Sequence, residues 1–253
     1  MPFTELAVIG ATILVSSFIS GTFGMAGGMV LLGVLLIYFP VTTAMVLFSI
    51  IQFVANAWRA ALWWRFVLWP IFIWYAVGGV LAFVIMRAIA YVPDKATVYV
   101  MLGAMPFCVE LLPTTARPNI QWRGMPFVTG LLTTVVQFLA GVGGPFLDVF
   151  FQKSTLDRKT TLASKAVVQT FSHVLRGAYF GSFSSSLQAV EQPWWLYVAA
   201  IGVAIAGTSL TPVIIERMTD HGFRQWTRAI ILSVSGIYLL RGAVLFWHVW
   251  HGA

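Results

Sequence analysis

The chain has 253 residues, of which 59% are hydrophobic and only 9% charged, and its formal net charge is +7. An ordinary soluble domain carries roughly 25% charged residues, so this composition excludes a water-soluble enzyme, a disordered chain and a nucleic-acid-binding module. With a mean hydropathy of +0.88, it fits an integral membrane protein whose apolar surface faces lipid.

A helical span takes about 20 apolar residues. The opening residues carry Glu5 and no Lys or Arg, so the first run reads as a retained helix and not a cleaved signal. Apolar runs fall at 5–23, 42–63, 68–89, 97–113, 126–140, 159–181, 194–215 and 228–249. They predict an all-α membrane protein with about eight transmembrane helices. The runs are continuous and not alternating, which argues against a β-barrel. Pro40, Pro93, Pro193 and the stretch Pro113 to Pro118 fall between runs, as chain breakers should. Cys108 is the only cysteine and lies in an apolar run, which predicts a buried, inert thiol.

Basic residues cluster in alternate loops. Arg87 and Lys95 follow the third run, Lys153, Arg158 and Lys159 precede the sixth, and Arg217, Arg224 and Arg228 precede the eighth. The loop from Gly181 to Pro193 has no Lys or Arg. The positive-inside rule then predicts a multi-pass protein of the cytoplasmic (inner) membrane with both termini outside the cytoplasm. Arg65, Arg117 and Arg123 fall on the wrong side of this scheme.

The chain repeats itself. Ile19 to Leu36 contains Gly27-Gly28, and Gln137 to Phe151 contains Gly143-Gly144, an offset of 116. Gln52 to Leu62 aligns with Gln169 to Tyr179 at an offset of 117, pairing Gln52 with Gln169 and Arg59 with Arg176. The expected organisation is an N-terminal repeat over 1–116 and a C-terminal repeat over 117–253, integrated in one membrane domain of two four-helix halves. Each Gly block weakens a helix by about 1 kcal/mol per residue relative to Ala. One reading is a discontinuous helix whose freed N–H groups face an anion. The other is close helix packing through small residues. Four full spans per half would give the repeats one orientation, and a re-entrant segment would invert them.

Polar stripes follow each block. Ser49, Gln52, Asn56 and Arg59 fall within about 80° of one another on a helix. Thr161, Lys165, Gln169, Ser172, His173 and Arg176 fall within about 120°. Polar groups facing lipid are costly, so both stripes should face the bundle interior. Lys165 is the deepest cation, whereas Arg59 and Arg176 either bind substrate or snorkel to the interface. Such donor-rich faces suit an anion. The candidate binding residues are Gly24, Gly27, Gly28, Gln52, Asn56, Arg59, Gly141, Gly143, Gly144, Lys165, Gln169, His173 and Arg176. Asp148 either couples transport to protons, pairs with Lys165 or Lys153, or is merely solvated, and Glu110 is a second coupling candidate. No metal site is expected, since His248 and His251 lack a third ligand nearby, and no cofactor or catalytic motif is present.

The block Gly21, Gly24, Gly27, Gly28, the block Gly141 to Pro145 and the stretch Arg158 to Gly181 resemble the sulfite exporter TauE/SafE family. The resemblance implies duplicated four-helix units and secondary transport of a sulfur-containing anion: sulfite, sulfoacetate or a related organosulfur acid. The expected mechanism is alternating access with export, and the expected partners are a small anionic substrate, the lipid bilayer and, through coupling, protons. An anion channel or a carrier of a non-sulfur organic anion would share the donor-rich path. A membrane-embedded enzyme would need an acid beside His173, and none lies within a turn of it.

Overall fold

The computed structural model describes residues 3–23, 26–183, 194–211 and 220–251. Among the described residues every regular element is helical: α1 (Phe3–Phe23), α2 (Ala26–Tyr38), α3 (Val41–Leu62), α4 (Trp69–Ile89), α5 (Lys95–Leu111), α6 (Met125–Ala140), α7 (Gly144–Phe151), α8 (Arg158–Gly181), α9 (Trp194–Ser209) and α10 (Asp220–His251), with short 3-10 turns at Trp64–Phe66 and Thr114–Ala116. Each predicted run overlaps a helix, and the end of the seventh, 212–215, lies outside the described residues. Two helices, α2 and α7, lie outside those runs. With 13 and 8 residues they fall well short of the roughly 20 that a span needs. The loop expected before the last run is helical from Asp220, so Arg228 sits inside α10. By length and composition, Thr4–Thr22, Val41–Leu62, Trp69–Ile89 and Arg228–His248 can cross a bilayer among the described residues.

Local chemistry sets the ends. Pro70, Pro126 and Pro145 occupy the first turns of α4, α6 and α7, where a missing N–H costs nothing. Asp94 and Asp157 cap α5 and α8 by accepting from the N–H groups of Thr97 (2.9 Å) and Thr160 (3.0 Å). Gly141 ends α6 with φ at 77°, in the left-handed region that favours glycine.

The helix packing has a symmetry. α3 packs on α8 and α5 on α10; α4 packs on α6 as α9 does on α1, and α4 on α8 as α9 does on α3. Exchanging α1–α5 with α6–α10 maps these pairs onto themselves. Helix directions follow from side-chain partners. Ser49 meets Arg176 while Gln169 meets Arg59, so α3 and α8 run antiparallel. Gly103 backs onto Leu239 and Gly242 onto Val100, so α5 and α10 do too.

Each Gly block turns the chain back. Gly27 sits against Ser16 and Ser20 of α1. Farther along, Leu35 of α2 and Phe39 just after it share an apolar crevice with Leu6 and Ile9. In the second half, Gly143 lies against Thr133 and Gln137. The chain before α6 then meets the end of α7, where the Ile120 N–H donates to the Phe150 carbonyl (2.7 Å) and the Asn119 amide to the Lys153 carbonyl (3.0 Å). Both α1–α2 and α6–α7 are therefore helix hairpins that return to the side from which they enter.

The outer faces are apolar. Ile73, Trp74, Val77, Val80, Leu81, Val84 and Ile85 of α4 are exposed, as are Ile237, Leu240, Val244 and Trp247 of α10. On a soluble protein such patches would drive aggregation, but in a bilayer they face lipid. Cys108 corrects the expectation of a buried thiol, because it is exposed on α5. In a lipid-facing protein an apolar run does not imply burial.

Candidate functional site

The polar stripes of α3 and α8 face each other. Both arginines are buried, Arg59 at 5% exposure and Arg176 at 0%, so neither snorkels to an interface. Arg59 Nη1 donates to the Ser20 carbonyl at 2.7 Å, and Nη2 donates to Gln169 Oε1 at 2.9 Å and to Asn56 Oδ1. Arg176 Nη1 donates to the Gly141 carbonyl, Nε donates to Ser49 Oγ at 2.9 Å, and Nη2 lies 2.9 Å from His173 Nδ1. Its guanidinium also covers the Phe48 ring at 4.1 Å. Ser20 is in the last turn of α1 and Gly141 ends α6. The last carbonyls of a helix lack partners within it. Each arginine therefore closes the helix that precedes a break.

Between these stripes and the breaks lies a cavity of about 30 Å³, room for roughly two waters or one small ion. Its wall draws Gly28, Gln52 and Asn56 from the first half and Gly143, Gly144, Gln169 and His173 from the second. These seven predicted site residues are brought together. The first N–H groups of α7 have no partner within the helix, and its Gly143-Gly144 end forms part of the wall.

Other predicted residues lie elsewhere. Gly24 is outside the described residues. Gly27 is spent on packing, because a Cβ there would lie 2.7 Å from the Ser20 nitrogen. Gly141 ends α6, and Arg59 and Arg176 stand behind the wall. Lys165 is paired with Asp148, their side chains 9% and 21% exposed. Of the fates considered for Asp148, pairing with Lys165 is what the structure holds. Glu110 is on the surface, 2.6 Å from Arg228.

Sequence reasoning missed half of the wall. Tyr75 from α4, Thr133 and Gln137 from α6, and Ser20 from α1 all line the cavity, as does Ser172 of the α8 stripe. Tyr75 Oη and Ser172 Oγ are 2.7 Å apart, and Gln137 Nε2 donates to the Ser172 carbonyl at 2.8 Å. A signal was present. Ser16, Ser17 and Ser20 match Thr133, Thr134 and Gln137 at the offset of 117 that relates the arginines. Gln52 Oε1, Thr133 Oγ1 and Thr134 Oγ1 are buried without a hydrogen-bond partner; of the two hydroxyls, Thr133 lines the cavity, where it can donate to a solute.

Such a chamber can hold a small anion through neutral donors and shows no nucleophile–base–acid constellation. The family model for sulfite exporter TauE/SafE matches residues 8–239. No curated protein and no solved structure matches the chain.

Proposed function

The chain belongs to the sulfite exporter TauE/SafE family of membrane transporters, which are not enzymes, and from that premise we propose that it carries a small sulfur oxyanion across the cytoplasmic membrane by alternating access. The observation that carries this is the donor-lined chamber between two broken helix hairpins, one from each half. Unwound or terminal backbone facing a midplane site, built at the interface of two repeats, is a transporter arrangement. The chamber's size favours sulfite over the larger sulfoacetate.

The repeats are 1–116 and 117–253. With each hairpin returning to its own side, α3, α4 and α5 cross in the first half and α8, α9 and α10 in the second. Three crossings per half invert the repeats, which agrees with the antiparallel α3–α8 and α5–α10 pairs. On this topology α1 and α6, counted among the eight predicted spans, are the outer arms of hairpins. The basic residues then sort better. Arg65, Arg117 and Arg123 join Lys153, Arg158, Lys159 and Arg228 on one side, and Arg87 and Lys95 stand on the other. Lys159 lies 5.5 Å from the Trp63 ring, which fits this grouping. The rich side is cytoplasmic and both termini are outside.

The inverted repeat also sets the gates. Lys165 and Phe48 occupy equivalent positions. On this reading the Lys165–Asp148 pair gates the path on the cytoplasmic side, and Phe48, at the chamber wall, gates it on the outside. An anion arriving from the cytoplasm competes with Asp148 for Lys165, which favours loading for export. The test is counterflow of labelled sulfite in proteoliposomes. A carrier gives faster labelled flux when unlabelled sulfite is on the opposite side; a channel shows no such stimulation.

A further inference from the structure

We infer that the chamber selects a doubly charged oxyanion, held by neutral donors that two buried guanidinium groups polarise from behind. This rests on the transporter function proposed above and deepens it by fixing the charge of the substrate.

Among the described residues the interior charges do not balance. Among the described residues the buried charged side chains are Arg59, Lys165 and Arg176. Asp148 faces Lys165, and that pair cancels. The hydrogen-bond partners of Arg59 are Ser20, Asn56 and Gln169, and those of Arg176 are Ser49, Gly141 and His173. All of these are neutral. Two positive charges thus remain inside an apolar protein, and among the described residues no carboxylate is hydrogen-bonded to either. Buried charge without a counter-charge is strongly unfavourable, and a dianion in the chamber supplies the missing pair.

Neither arginine lines the chamber; each reaches it through side chains that do. Arg59 donates to the carbonyl oxygens of Asn56 and Gln169. With Gln169 Oε1 engaged behind the wall, its NH₂ group is left to donate forward. Arg176 acts through His173. A guanidinium has no acceptor, so His173 Nδ1 must accept from Nη2. The imidazole then carries its proton on Nε2 and is a neutral donor. Asn56 and His173 both precede their arginine by three residues, but the Asn56 amide also donates to the Gln52 carbonyl at 2.8 Å, so Gln169 and His173 are the donors these relays direct at the chamber. The Thr133 hydroxyl, buried and without a partner, adds a further donor at the wall.

This arrangement distinguishes charge states. The field of two cations acts on a dianion about twice as strongly as on a monoanion of the same shape. Neutral contacts avoid a direct ion pair, so the bound solute remains able to leave. Tyr75, also at the wall, is hydrogen-bonded to Ser172 and adds no charge.

The test is binding to the purified wild-type protein in nanodiscs by titration calorimetry. The probes are sulfate, sulfite, methanesulfonate and nitrate, each on both sides of sulfite's second ionisation in pH. Sulfate and sulfite are expected to bind at least ~10-fold more tightly than the two monoanions. Sulfite affinity should rise with pH through that ionisation while sulfate affinity stays flat. The sulfate curve is the control for titration of His173, Asp148, Lys165 or Tyr75. Methanesulfonate binding as well as sulfate overturns the charge selection and leaves the carrier standing. A sulfate curve that follows the sulfite curve places the titration in the protein and also overturns it. No binding of any of the four overturns both the selection and the carrier.

Discussion

Arg59 and Arg176 hold equivalent posts in the two halves: Arg59 donates to the Ser20 carbonyl at the end of α1, and Arg176 to the Gly141 carbonyl at the end of α6. Each removes a terminal carbonyl that would otherwise be orphaned inside the bundle, and each places a cation where the helix dipole favours one. The breaks are therefore built features that the following polar stripe stabilises. Replacing either arginine by alanine strands buried acceptors, at about 1–3 kcal/mol for each unsatisfied group. Arg176→Ala should lower the apparent melting temperature in detergent more than Arg59→Ala, because it also loses the Phe48 contact. Equal melting of both variants and the wild type would contradict these roles.

Gly141 tests the second break by itself. Its φ is 77°, and a Cβ there would come within 2.6 Å of Met45 Cε. Gly141→Ala should cost about 1–3 kcal/mol, the usual cost of a residue held in a sparsely populated backbone region. Gly181→Ala, where a Cβ meets nothing within 4 Å, is the matched control and should be near neutral. Thermal unfolding of the two variants side by side decides it.

Much of this architecture is legible in the residues, and the gaps have physical causes. The eight long runs and the Gly blocks stand out because lipid demands long apolar helices. α2 and α7 do not, because helices of 13 and 8 residues fit no span template. The direction of the second half depends on whether the hairpins return, which no local pattern encodes. Thr133 and Gln137 were overlooked because isolated hydroxyls and amides barely interrupt an apolar run. The burial of Arg59 and Arg176 was invisible because their key partners are backbone carbonyls, which every sequence has.

The topology makes a labelling prediction. Cys108 is the only thiol in the chain and is exposed, so Cys108→Ser gives a clean background. In that background Arg65→Cys and Arg123→Cys should react with an impermeant maleimide only from the cytoplasmic side. Tyr91→Cys should react only from outside. Labelling of Arg65→Cys and Tyr91→Cys from the same side would contradict the inverted repeats.

The Lys165–Asp148 pair should behave as a unit. Removing one partner leaves a partly buried charge alone, which costs more than removing both. Lys165→Met and Asp148→Asn should each reduce sulfite flux more than the double variant reduces it relative to its better parent. If Asp148 also couples flux to protons, Asp148→Asn flattens the pH dependence of transport. Additive losses in the cycle would separate the two residues.

At the foot of α8, outside the bundle interior, Asp157 accepts from the hydroxyl of Thr160 and from its N–H. These bonds hold its carboxyl below the usual carboxylate range. A depressed folded-state pKa contributes stability above the unfolded value of about 3.9, lost as pH falls through the folded value. Asp157→Ala should therefore lower the melting temperature at neutral pH, and the gap to wild type should close under acid. A gap independent of pH would contradict the cap.

The most direct measurement of the central claim is sulfite flux through a variant that fills the chamber without touching its charges. A Cβ on Gly28 would lie 2.8 Å from Gln52 Nε2 and 3.3 Å from the Phe48 ring, so Gly28→Val occupies the space between the two hairpins. Flux of labelled sulfite in proteoliposomes should be lost in Gly28→Val, while the variant still melts cooperatively in detergent. Wild-type flux through a folded Gly28→Val protein would contradict the account, because the anion would then be crossing somewhere other than this chamber.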